Sequence, residues 1–178
     1  MTFEEKTIST EMLYKGKIIN LRRDKVTSVN GVSEREIVEH NGGTCCVALT
    51  ADNKVVLVKQ YRKPFDEVCV EIPAGKLELG DTNPLEGIKR ELKEETGYTA
   101  EKWEFLTAMR PSVGYTTETL YIYLARDLTP GETNLDDNEA IDIKYVDFDR
   151  SIEMIKSGEI NDAKTIIGLL LARDLINK

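Results

Sequence analysis

Residues 80–98 read GDTNPLEGIKRELKEETGY, and the reading of this stretch decides the fold. Its ends are those of a helix. Asn83 is a capping residue, Pro84 suits the first helical position, and Glu86 completes capping-box spacing. Leu85, Ile88 and Leu92 recur at helical spacing and form an apolar stripe that must face a core. Gly97 marks the stop, because it enters the left-handed conformation at little cost. Glu91, Glu94 and Glu95 then fall at i, i+3 and i+4, where like charges destabilise a helix. Glu86 and Arg90 are spaced as an i, i+4 pair, whereas Lys93 points away and Arg90 only flanks Glu91. Taken alone, the cluster is a solvated acidic face, the usual meaning of a charge run.

The residues upstream change that reading. EIPAGKLELG, residues 71–80, is a short strand running into a tight glycine turn, which brings backbone carbonyls close to the helix. Carboxylates together with a carbonyl make an all-oxygen donor set of the kind preferred by a hard divalent cation, Mg²⁺ or Mn²⁺. A cation would offset the repulsion that the glutamates impose on the helix.

The rest of the chain is an ordinary globular sequence of 178 residues, 40% hydrophobic and 31% charged. That length suits one domain with a small additional element. Lys and Arg number 24 against 32 Asp and Glu, for a net charge of −8, so no basic stripe for nucleic acid is expected. No apolar run is long enough for a membrane span, and the N-terminus lacks a signal-peptide pattern, so a cytoplasmic protein is expected. Three cysteines fit no zinc or redox spacing. Cys45 and Cys46 are adjacent on a strand and should point to opposite faces as buried thiols. His40 reads as a polar residue at a strand end, with a catalytic role the less favoured alternative.

Residues 7–40 break into short extended pieces at Gly16 and at Asn30-Gly31, a hairpin signal. GGTCCVALTADNKVVLVKQYR, residues 42–62, predicts two strands joined across Asp52-Asn53. Further strands are expected in EVCVEIPAG, KWEFLTAMRPS, ETLYIYLARDL and IDIKYVDF. Two helices close the chain, the second capped by Asn161. Strands, one central helix, strands again and helices last describe an α+β sandwich rather than a βαβ repeat.

GKLELGDTNPLEGIKRELKEETGY, residues 75–98, resembles the Nudix box, G-x5-E-x7-R-E-U-x-E-E-x-G-U with U aliphatic or aromatic. Gly75 fills the first position and Asp81 stands where Glu is usual. Arg90 through Tyr98 match the second half. Eight residues rather than seven separate Asp81 from Arg90, and the extra one is placed in the Asp81-Thr82-Asn83 turn. REIVEHNGG, VKQYRKP, EIPAGKLE, PSVGYTTE, DDNEAIDI and IKSGEINDAKTIIGLLL are similar to segments of the ADP-ribose pyrophosphatase subfamily, in its order.

The resemblance implies a Nudix α/β/α sandwich with mixed sheets over residues 41–178. It is preceded by a small antiparallel β domain, residues 1–40, exchanged across a homodimer. It implies Mg²⁺-dependent hydrolysis of ADP-ribose, or a related nucleoside diphosphate sugar, to AMP and ribose 5-phosphate. Metal ligation would fall to the Ala74 carbonyl, Glu91, Glu95 and Glu139, with Glu94 assisting and Arg90 orienting Glu91. Glu139 or Asp137 would take the proton from water, and the residues leave that choice open. Substrate contacts would come from Lys17, Ile18, Arg35, Glu36, Arg62, Lys76, Ser112, Val113, Gly114 and Glu118. Val113 departs from the usual Ser-Pro-Gly loop. The rival readings are a Nudix hydrolase of another nucleoside diphosphate derivative or damaged nucleotide, and a non-catalytic ligand sensor; a broken glutamate cluster would mark the sensor.

Overall fold

The computed structural model describes residues 3–78, 83–135 and 139–176. These divide into two compact units. The first takes the N-terminal residues through Gly42 together with Arg110–Thr119, and the second takes Gly43–Met109 and the chain from Leu120 onward.

The first unit is an antiparallel sheet of β1 (Thr7–Lys15), β2 (Asn20–Ser28) and β3 (Gly31–Glu39), in that order. The Asn30-Gly31 signal lies at the β2–β3 turn, where Gly31 has a φ of 120°, a value that suits glycine. β1 is exposed along its whole length, including Ile8, Met12, Leu13 and Tyr14. Arg110–Thr119 adds to the far side of the sheet: the Val38 amide donates to the Tyr115 carbonyl at 2.7 Å and the Thr117 amide to the Val38 carbonyl at 2.9 Å.

In the second unit, β4 (Gly43–Leu49), β5 (Lys54–Arg62), β8 (Thr99–Met109), β9 (Leu120–Thr129) and β10 (Ile141–Asp147) run in the order β10-β5-β4-β9-β8. β6 (Glu67–Glu71) pairs with β5, and the three-residue β7 (Ala74–Lys76) with β4. The β4–β9 pairing is parallel and the others are antiparallel, so the sheet is mixed. The helices are α1 (Pro84–Thr96), α2 (Phe148–Ser157) and α3 (Ala163–Ile176). None of the described helices is long and apolar enough to cross a membrane.

Alternation along the strands builds the layers, because successive side chains leave a strand on opposite faces. Cys46, Ala48, Val56, Tyr123 and Ala125 pack with Ile88 and Leu92 of α1. Cys45, Val47, Val55, Leu57, Ile122 and Leu124 pack with Ile152 and Met154 of α2 and Leu169 and Ala172 of α3. The result is an α/β/α sandwich with the adjacent cysteines divided between its two cores. Burial pushes the Cys45 thiol up to about 12 and Cys46 well above its ordinary value, so both are neutral packing groups. α3 presses closely on the sheet at Gly168, where a Cβ would lie 3.1 Å from Val47 Cγ2 and 3.2 Å from Ile72 Cδ1.

The expected caps of α1 are present: Asn83 Oδ1 accepts from the Leu85 amide at 3.1 Å, and Gly97 ends the helix at φ 76°. Two local expectations are corrected. Glu86 does not pair with Arg90; Lys89 Nζ takes it at 2.8 Å, while Arg90 turns toward the other glutamates. Asn161 does not cap α3. The helix starts one residue later, and Asp162 Oδ2 accepts from the Thr165 amide at 3.0 Å. The Asp81-Thr82 part of the turn assigned the extra residue lies outside the described residues.

Candidate active site

The acidic face of α1 is built against the strap formed by β7. Burying Leu92 and Ile88 under the sheet turns Glu91 and Glu95 toward Ala74 and Gly75. Glu95 is 5% exposed, and its Oε2 accepts from the Ala74 amide at 3.1 Å. Gly75 is required by contact: a Cβ there would fall inside the Glu91 carboxylate. The first glycine of the sequence pattern thus makes room for a glutamate sixteen positions later.

Arg90 bridges two members of the cluster. Its Nη2 donates to Glu91 Oε1 and its Nη1 to Glu94 Oε2, both at 2.6 Å. Charge-assisted bonds of this length fix orientation as well as lower energy. Glu94 and Arg90 are more open to solvent than Glu91, which places the arginine on the outer side of the face.

Burial is the main influence on the two inner carboxyls. It pushes Glu95 up to about 8, against the Ala74 hydrogen bond and helped by the charges of Glu91 and Glu139. Glu91 is raised for the same reason, partly opposed by Arg90. Glu139, exposed at the end of the loop before β10, is therefore close enough to be felt by both. Asp137 lies outside the described residues.

Among the described residues no three His, Cys, Asp or Glu side chains form a ready-made cation cage. Glu91 faces Arg90, and Glu95 faces the Ala74 amide. The donor chemistry nevertheless fits a hard cation. Glu91 and Glu95 supply carboxylate oxygens beside the Ala74 backbone, and a divalent charge would offset the cost of burying the two as anions, which raises both.

The other expected site residues fall into two groups. In the second unit, Arg62 at the end of β5 is engaged by Glu71, and Lys76 ends β7 exposed. In the first unit, Lys17 and Ile18 occupy the exposed β1–β2 turn, and Glu36 lies exposed on β3. Arg35 grips Glu5 through Nε at 3.0 Å and through Nη2. Ser112 and Glu118 line a cavity of about 220 Å³ with Ile19, Val38, His40 and Tyr115, while Val113 and Gly114 are exposed. His40 sits just after β3, as its strand-end reading implies; its Nδ1 accepts from the Gly42 amide at 2.9 Å and lies 3.6 Å from Glu118. Sequence reasoning missed Glu71 and Lys164, whose Nζ donates to the Glu71 carboxylate from the start of α3. A signal for Lys164 was present: a lysine in the first turn of a helix opposes the helix dipole and needs an acidic partner.

Comparison with known proteins agrees with this architecture. An ADP-ribose pyrophosphatase of Bacillus subtilis (strain 168) is 42% identical over 167 residues, covering 92% of this chain and 90% of that protein. A methanol dehydrogenase activator of Bacillus methanolicus is 43% identical, with 94% and 91% covered. A GDP-mannose pyrophosphatase of Yersinia pestis is 31% identical, with 86% and 81% covered. The crystal structure of an ADP compounds hydrolase superimposes with a TM-score of 0.84 over 99% of this chain and 96% of that one; at 18% identity it shows the shared fold. The NUDIX domain model matches residues 39–167. That match takes in the strap, the acidic helix and Glu139 and spans well over half of the sequence, so the chain belongs to the NUDIX domain family.

Proposed function

We propose that the protein is a pyrophosphohydrolase that cleaves the diphosphate of ADP-ribose, giving AMP and ribose 5-phosphate. The observation that carries the reading is the packing of the Ala74–Gly75 strap on the Glu91 and Glu95 carboxyls within one compact unit. The substrate is supported by 42% and 33% identity, over 92% of this chain in each case, to ADP-ribose pyrophosphatases of Bacillus subtilis and Mycobacterium tuberculosis.

Hydrolases of the family generally need a divalent metal, and here Mg²⁺, or Mn²⁺, would be held by the Ala74 carbonyl, Glu91, Glu95 and Glu139. When bound, the cation supplies charge neutralisation at the two phosphates and acidifies an attacking water. The chain's own residues do the rest. Arg90 holds Glu91 and Glu94 in register. Arg62 binds a phosphate oxygen, and Lys76 adds positive charge at the end of the strap. Glu139 or Asp137 takes the proton of the water as general base. Lys17, Ile18, Arg35 and Glu36 bind the nucleoside end from the partner of a homodimer that exchanges its N-terminal segments (residues 1–40). The loop with Ser112, Val113, Gly114 and Glu118 closes on the terminal ribose. The protein works in the cytoplasm.

Product analysis over ADP-ribose, GDP-mannose and an oxidised nucleoside triphosphate tests the reading. AMP and ribose 5-phosphate should appear fastest from ADP-ribose. Faster cleavage of either other compound would overturn the substrate assignment.

A further inference from the structure

Arg62 is gripped by a buried ionic chain that runs to the start of α3. Its Nε and Nη2 donate to Glu71 Oε1 and Oε2 at 2.6 and 2.8 Å, fork against fork. Glu71 is 3% exposed, and Lys164 Nζ donates to its Oε2 from the other side. Lys164, itself buried, also donates to Asp162 at 3.0 Å. Asp162 accepts from the Thr165 amide and hydroxyl at 3.0 and 2.6 Å, and the Thr165 hydroxyl accepts from the Ile72 amide at 2.9 Å. The first turn of α3 therefore holds two consecutive residues, Glu71 and Ile72, just ahead of the Ala74–Gly75 strap. Burial alone would neutralise this chain. The Arg62 and Lys164 contacts instead keep Glu71 below its ordinary range, and the acids keep Lys164 above its own.

Such an arrangement is a poor way to gain stability. Buried ion pairs commonly fail to outperform apolar side chains of the same volume, and a lysine at a helix N-terminus opposes the dipole. What the chain does achieve is a fixed guanidinium. Two donors of Arg62 are committed to Glu71, while its side chain remains 39% exposed. Glu71, which holds it, lies three residues ahead of Ala74, whose amide donates to Glu95, so the guanidinium is tethered to the start of the strap that carries the carboxylate face.

We infer that Glu71, backed by Lys164, is a positioning residue that holds Arg62 so that its remaining N–H donors meet the substrate's diphosphate. The inference rests on the proposed function in taking the ligand to be a diphosphate. A guanidinium recognises phosphate oxygens through the direction of its donors as well as its charge. One that is already ordered loses less side-chain freedom on binding.

Calorimetric titration with magnesium pyrophosphate, on the full-length wild type, Arg62→Met, Glu71→Gln and the double variant, tests this. Arg62→Met and Glu71→Gln should each weaken binding about tenfold, the scale of one hydrogen bond to a charged group. The double variant should bind no worse than Arg62→Met, because Glu71 acts only through the arginine. In ADP-ribose turnover Glu71→Gln should raise KM by a similar factor with little change in kcat. Glu71→Gln combined with Lys164→Met, which strands no buried cation, replaces the single variant in the cycle if that one does not fold. Wild-type affinity in Glu71→Gln, or a full additional loss in the Arg62→Met background, would overturn the inference. The expected cycle with no ADP-ribose turnover by the wild type would leave it standing and overturn the substrate assignment alone.

Discussion

Glu95→Gln separates what this carboxyl does for the fold from what it does for chemistry. In the metal-free protein the folded state holds the Glu95 proton up to about pH 8, against an ordinary value of 4.5. Because this carboxyl is raised rather than depressed, the sign is the reverse of the usual one for an acid. Its contribution is harmless below pH 4.5, and stability is lost as pH climbs from there toward 8. At 1.36 kcal/mol per unit, the interval from 4.5 to pH 7 amounts to about 3 kcal/mol. A glutamine has nothing to ionise and can still accept from the Ala74 amide. In urea with a chelator, the unfolding midpoint of Glu95→Gln should match the wild type near pH 4.5. At pH 7 it should exceed the wild type by about 1–2 M, for an m-value of about 2 kcal/mol per M. Saturating Mg²⁺ should close that gap by stabilising the wild type alone. The same variant should lose about 10² or more in kcat, because the cation that offsets transition-state charge is held less well. Parallel stability profiles for the two proteins across pH 4.5–8, or near-wild-type turnover at saturating Mg²⁺, would refute the reasoning.

Gly75→Ala should shift Glu91 off its seat, lowering Mg²⁺ affinity and kcat together and costing about 1–3 kcal/mol of stability; metal titration and urea melts on one preparation check it. Arg90→Met should reduce kcat about 10- to 100-fold by releasing Glu91 and Glu94. Its exposed ion pairs contribute at most about 1 kcal/mol, so an unchanged melting curve beside the slow turnover is the expected pair of results. Light scattering should give twice the chain mass, and Ile8→Asp with Met12→Asp, on the exposed β1 strand, should yield monomers with weakened ADP-ribose affinity. A wild-type monomer with full activity would rule out the exchanged segment.

The legible parts of the molecule were those written over short distances. Asn83, Pro84 and Gly97 marked the ends of α1 because caps depend on a few neighbouring dihedrals. The two-residue period of a strand placed Cys45 and Cys46, within the apolar run of residues 43–49, on opposite faces for the same local reason. The choice of partner for Arg90 was not local. Glu86, Glu91 and Glu94 were all within its reach along the helix, and the packing of Glu91 against Gly75 brought the arginine to that side. Glu71 and Lys164 were further out of reach, since their 93-residue separation leaves no periodic trace. The alliance of Arg110–Thr119 with β3 was hidden likewise, as its link is two backbone hydrogen bonds to Val38 with the Thr117 hydroxyl set against the His40 backbone, none of which leaves a periodic trace.

The parallel pairing of β4 with β9 has an entropic consequence. Gly43 aligns with Leu120 and Ala48 with Ala125, a separation of 77 residues that encloses the strap and the acidic helix. Since β7 pairs with the other edge of the same strand, the platform beneath the carboxyls is complete only when both ends of this long loop have met. A closure of that span costs more chain entropy than the nearer pairing of β4 with β7. The repelling glutamates therefore sit inside the segment that this long-range pairing encloses, and α1 rests on a platform whose assembly is tied to a contact far away in sequence.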